Sequence, residues 1–201
     1  MNYDFIEVGT SDFETHIQNA TDDHIGLSIE PIQYYLDRLP NKKNVKKLNC
    51  AVSFDGIASR DKVYYVPHDT IVRHGLPHWI RGCNSIGDYH YQHKTRNLQE
   101  YVETIDIDMI PLGDILEQHN VEQLKTLKLD TEGGDSYILQ SFVPVLENRP
   151  KENWPQTIEF ETNILTPAEM VNETIDMYVE LGYRILHRGV GEQNTILAID
   201  I

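Results

Sequence analysis

The sequence predicts an α/β fold built on a mainly parallel sheet. Three observations carry that expectation. Short β-rich runs alternate with helical stretches along most of the 201 residues, the pattern of βα units whose strands run parallel. Two apolar runs, 5–8 and 124–129, lead into acidic residues and glycines. This is how an open sheet presents polar groups at the carboxyl edge of its strands. The rhythm changes at the end, where 183–187 and 195–199 read as a closing antiparallel hairpin.

The first strand is expected at 5–8, almost at the start of the chain. The turn Gly9-Thr10-Ser11-Asp12 follows, with Ser11 or Asp12 placed to cap a helix running toward Ala20. Residues 25–29 read as a second strand, and Pro31 opens a helix through Leu39. A third strand is expected at 45–52. Asp55-Gly56 and the run 62–66 suggest a hairpin-like excursion. Residues 67–100 break the pattern: they hold five of the nine histidines and little periodicity, the mark of a candidate binding loop or substrate lid. A short strand at 102–107 and a helix at 112–119 restore regularity. A fourth strand is expected at 124–129, then a helix at 134–146 with Ile138, Leu139, Phe142, Val145 and Leu146 on its apolar face. A fifth strand is expected at 157–161. The last helix starts at Thr166-Pro167 and ends at Gly182. A chain of this length is expected to form one domain over 1–201, with the insert at 67–100 as its lid.

The composition narrows the function. The formal net charge of −15 argues against nucleic-acid backbones and anionic membranes as partners. The one basic cluster, Lys42, Lys43, Lys46 and Lys47, reads as a solvated face. No run of apolar residues is long enough to span a bilayer. The first residues have neither a basic n-region nor an apolar h-region, so no secretory leader is expected. Cys50 and Cys83 make no CxxC pair and read as free thiols. Together these features suggest a cytoplasmic protein. Whether it forms a homo-oligomer is open at this point.

Three segments carry chemistry. Glu7 lies near the end of the first strand and Gly9 opens the turn, where a backbone without Cβ lets a ligand approach. The dinucleotide fingerprint is missing, because Phe13 stands where a third glycine belongs. Glu30 ends the second strand, 21 positions after Gly9, where a carboxylate can accept hydrogen bonds from ribose hydroxyls. Finally, Leu127-Lys128-Leu129-Asp130-Thr131-Glu132-Gly133-Gly134-Asp135 places three carboxylates within six residues at a strand end. Such a cluster calls for a cationic, metal or hydrogen-bonding partner.

These segments together resemble the FkbM family of S-adenosylmethionine-dependent methyltransferases. The match covers residues 5–12, Asn49-Cys50-Ala51-Val52-Ser53, residues 102–116 leading into 127–139, and Ile158-Glu159-Phe160-Glu161, in the family's order. The Lys128-x-Asp130-x-Glu132-Gly133 block is the most specific piece. The resemblance implies a Rossmann-like class I methyltransferase fold: a seven-stranded, mostly parallel sheet with an antiparallel last strand and helices on both faces. It implies that Glu7, Gly9 and Ser11 line the methionine and ribose part of S-adenosylmethionine, that Glu30 holds the ribose hydroxyls, and that Ala51 and Ser53 lie near the adenine. Asp130 and Glu132 would face the methyl donor and the acceptor. The acceptor it implies is a hydroxyl on a sugar, glycan or small natural product.

Two departures from the family are noted. The chain starts at the first strand, so substrate recognition is expected to rest on 67–100 or on a partner subunit. Asp12-Phe13 also replaces the usual glycine-containing turn. Candidate bases for an alcohol acceptor are Asp130, Glu132 and Glu161. Two histidine pairs have metal-ligand spacing if helical, His74 with His78 and His90 with His93, and Asp130 with Asp135 suits a hard cation. The preferred expectation is no metal, with the histidines in a polar, aromatic-rich lid. Two other readings compete: a different nucleotide-binding enzyme on a similar sheet, and a catalytically degenerate binding module.

Overall fold

The computed structural model describes residues 1–11, 15–190 and 193–201. In chain order the elements are β1 (Asn2–Val8), α1 (His16–Asn19), β2 (Gly26–Ile29), α2 (Gln33–Arg38), β3 (Val45–Leu48), β4 (Ala51–Val52), β5 (Ser59–Tyr65), α3 (His68–Arg73), β6 (Ser85–Ile86), α4 (Tyr91–Thr95), β7 (Glu103–Ile110), α5 (Leu112–Gln118), β8 (Gln123–Leu129), α6 (Asp135–Glu147), β9 (Pro155–Glu161), α7 (Ala168–Glu180), β10 (Arg184–His187) and β11 (Asn194–Ala198). Among the described residues, no helix is long and apolar enough to cross a membrane.

The main sheet has seven strands in the order β10-β11-β9-β8-β1-β2-β3. Neighbours from β9 to β3 run parallel, and the last strand, β11, is antiparallel to both β9 and β10. This is the Rossmann-like methyltransferase arrangement the sequence predicts. Strand alternation sorts β1 onto two faces. Ile6 and Val8 join a large core with Leu127, Leu129, Ile158 and Phe160, covered by Ile115, Ile138, Phe142 and Ile175 of α5, α6 and α7. Phe5 points to the other face and packs with Ile17 of α1 and with Leu36 and Leu39 at α2. Glu7 has the same parity as Phe5, which decides its surroundings below.

Four expectations are corrected. The strand expected at 45–52 is two strands. It breaks at Asn49, whose side chain donates to the carbonyls of Glu30 and Pro31 at 3.0 and 2.8 Å, and β4 leaves the main sheet. The run 62–66 does not close a local hairpin. It lies in β5, which pairs antiparallel with β7, about forty residues on, in a second sheet of order β4-β7-β5-β6. Residues 67–100 are not featureless: α3, β6 and α4 lie there, with a small core of Val66, Ile71, Ile80 and Leu98. Ser11 does not cap α1. Thr15 precedes its first turn, and the Glu7 carboxylate accepts the His16 N–H. Asp12 and Phe13 lie outside the described residues.

Candidate active site

The carboxyl ends of β1, β2 and β8 open onto one cleft. Of the residues singled out in the sequence, Gly9, Ser11, Glu30, Ala51, Asp130 and Glu132 line it. Glu7, Ser53 and Glu161 do not.

Glu30 is buried at the tip of β2. One carboxylate oxygen accepts the Ser11 N–H at 2.7 Å and the other the Ile32 N–H at 2.9 Å. The side chain thus ties the turn after β1 to the start of α2. A carboxylate is an acceptor-only group, the chemistry that suits hydroxyl donors. Ser11 holds a left-handed backbone, φ 43°, and its buried hydroxyl has no hydrogen-bond partner among the described residues.

Asp130 follows β8. Its side chain is 43% exposed at the cleft, and the Lys128 Nζ stands 4.0 Å from its Oδ2. Desolvation in the crevice, then the nearby Asp135 carboxylate, push its pKa up to about 6, against the pull of Lys128. Asp135 itself is buried and structural. It accepts from the Thr131 N–H at 2.8 Å, from the Thr131 hydroxyl, and from the Glu161 N–H at 2.8 Å. Its bonds join the β8–α6 turn to the end of β9, and desolvation raises its pKa.

Glu132 also has a left-handed backbone, φ 54°, and Gly133 follows at φ 100°. The Glu132 carboxylate meets His90 Nε2 at 3.2 Å. Desolvation pushes His90 down to about 4, so the ring is neutral at pH 7. This contact was not legible in the sequence, because the two residues are 42 positions apart.

The three residues outside the cleft have other work. Glu7 is fully buried on the α1 face. It accepts the His16 N–H with both oxygens at 3.0 Å and pairs with Lys128 Nζ at 3.5 Å. The Ser53 hydroxyl bonds Asp55 and Ile57 in the turn after β4. Glu161 accepts from the Asn163 side chain at 2.6 Å. Sequence reasoning missed several wall residues: Val52 at the end of β4 and Phe54 after it, and Gly82, Asn84, Ser85 and Ile86 from the 67–100 stretch. The clustering of histidines and aromatics marked that stretch, but no periodicity told which residues face inward.

The metal spacings do not persist in three dimensions. Helix α3 ends at Arg73, so His74 and His78 share no helical face. His90 uses both ring nitrogens, accepting the Gln92 N–H at Nδ1 and meeting Glu132 at Nε2. The Asp135 oxygens are taken by protein donors. Among the described residues, no group of three or more His, Cys, Asp or Glu is placed to hold a metal ion.

A family model described as the methyltransferase FkbM domain matches residues 7–185. No curated protein and no solved structure matches the chain.

Proposed function

Since the chain belongs to the FkbM methyltransferase family, we propose that it transfers a methyl group from S-adenosylmethionine to a hydroxyl of a sugar, glycan or small natural product. The observation that carries this reading is the meeting of Glu30 and Asp130 on the walls of one cleft at the carboxyl ends of β2 and β8. The donor set suits an adenosyl thioether. Glu30 presents a carboxylate to the cleft, an acceptor suited to ribose hydroxyls, and the Ser11 hydroxyl, without a hydrogen-bond partner among the described residues, lies in the same cleft. Ala51, Val52 and Phe54 give an apolar wall for a purine.

When bound, S-adenosylmethionine supplies a methyl group on a sulfonium, already activated for displacement. The chain's residues do the rest. Glu30, Ser11 and the Ala51–Phe54 wall bind and orient the donor. Asp130 takes the acceptor's hydroxyl proton at a carboxylate oxygen. A base with pKa near 6 is ionised at neutral pH and still basic enough to share a proton. Glu132 orients the acceptor from the far wall. Gly82, Asn84, Ser85 and Ile86 narrow the cleft and exclude water.

Thermal denaturation with ligands tests this. A ligand at about 100 times its Kd adds about 2.7 kcal/mol. S-adenosylhomocysteine is expected to raise Tm further with each tenfold rise in its concentration above Kd, and NAD is not. A shift with NAD alone, or none with either form of the thioether, would overturn the reading.

A further inference from the structure

We propose that His90 is a positioning residue that fastens the 67–100 stretch to Glu132 and thereby fixes the acceptor-side wall of the cleft. The inference rests on the methyl-transfer reading for its functional meaning and on geometry for the fastening itself. His90 is buried and stands just before α4. Its Nδ1 accepts the Gln92 N–H at 3.1 Å. A neutral imidazole has one donor and one acceptor nitrogen, so the proton must sit on Nε2. Nε2–H therefore donates to the Glu132 carboxylate at 3.2 Å. His93 packs edge-on against the ring, 5.6 Å between centroids, and restricts its rotation.

The same geometry denies His90 a role as base. The nitrogen that would take a proton is already filled by the Gln92 amide. What His90 contributes is a fixed donor, and what it fixes is Glu132. That carboxylate is held at a left-handed backbone position, φ 54°, which a glycine would occupy without strain. A side chain kept at such a place in a cleft wall points to a use for that side chain. The contact also spans two parts of the chain. On one side is the turn between β8 and α6, with Asp130. On the other is the segment that brings Gly82, Asn84, Ser85 and Ile86 to the cleft. Breaking it would free that wall while leaving Glu30 and Ser11 in place.

The test uses the full chain, labelled with nitrogen-15. Long-range proton–nitrogen spectra are expected to find His90 as the Nε2–H tautomer, its signal identified by its loss in His90→Gln. Glu132→Ala is expected to shift that signal. Hydrogen exchange of amides 83–95 is expected to quicken about tenfold in Glu132→Ala and His90→Phe, the ratio for losing one charge-assisted hydrogen bond. His90→Gln keeps an N–H donor and is expected to stay within about twofold of the parent. If His90→Phe does not fold, Glu132→Ala decides. An Nδ1–H tautomer, or unchanged exchange in Glu132→Ala, overturns the proposal. Calorimetry with S-adenosylhomocysteine separates the two readings. Failure of the parent protein to bind it counts against methyl transfer, whereas tautomer and exchange decide the fastening.

Discussion

Gly9 and Asp130 meet backbone to backbone at the floor of the cleft. A Cβ added to Gly9 would lie 1.9 Å from the Asp130 carbonyl oxygen, and the Asp130 N–H donates to the Val8 carbonyl at 3.0 Å. Gly9 also has φ 77°, a region costly for residues with a Cβ. Gly9→Ala must therefore push the ends of β1 and β8 apart. It is expected to cost about 3 kcal/mol in denaturant unfolding and to abolish S-adenosylhomocysteine binding. Binding at parental affinity would show that these strand ends do not set the cofactor site.

Asp130→Asn separates activity from stability. As the proposed base, Asp130 is expected to carry a factor of about 10² to 10⁴ in turnover. The parent's rate is expected to fall as pH drops through about 6, where the carboxyl takes up a proton. The stability effect has the opposite sense. An acid whose pKa is higher folded than unfolded favours the fold while protonated, and this contribution is lost as pH rises through the folded value. Asp130→Asn is thus expected to raise Tm at neutral pH. The gain should vanish below about pH 4, where both states of the parent are protonated. Matched Tm and single-turnover measurements across pH check both halves.

Glu30 and Ser53 were both assigned to the cofactor from the family resemblance, yet their bonding differs. Glu30 lines the cleft and holds two backbone N–H groups. Ser53 spends its hydroxyl on its own turn. Glu30→Gln puts an amide donor against one of those N–H groups and is expected to weaken S-adenosylhomocysteine binding by about tenfold or more. Ser53→Ala is expected to cost about 1 kcal/mol of stability and to leave the affinity within about twofold. Calorimetry on the pair decides; equal losses of affinity would place Ser53 in the site.

The strands that hold the site were legible because apolar runs closed by acidic residues and glycine leave a local signature. The expected runs at 5–8, 124–129 and 157–161 all lie within β1, β8 and β9. The second sheet was not legible, since β5 pairs with β7 across about forty residues. No local pattern encodes that register. All six charged residues of the 59–65 and 103–108 runs also face outward, including Arg60 and Asp108, which hides the alternation. At the site, spacing located the strand ends but not the side-chain directions. Glu7 was expected in the cleft, but strand parity turns it with Phe5 toward α1, where it accepts the His16 N–H. His90 reaches Glu132 only because the 67–100 stretch folds back over the sheet.

Lys128 shows what the buried side of the motif does for the exposed side. In register it lies between Glu7 on β1 and Glu159 on β9. Its side chain is 14% exposed, and its Nζ is 3.5 Å from the fully buried Glu7 carboxylate and 4.0 Å from Asp130. Lys128→Met leaves Glu7 without this cation in a site that water cannot reach. Removing one partner of such a pair typically costs about 3 kcal/mol or more. The same change removes the one cation that lowers the Asp130 pKa, so that pKa must move higher. The acid limb of the turnover profile is then expected to shift above its parental position near pH 6, while Glu30 still holds Ser11 and S-adenosylhomocysteine still binds. A pH profile of the folded variant, taken alongside its unfolding curve, measures both effects. An unmoved acid limb would mean that Lys128 serves the β1–β8 pairing and leaves the base untouched.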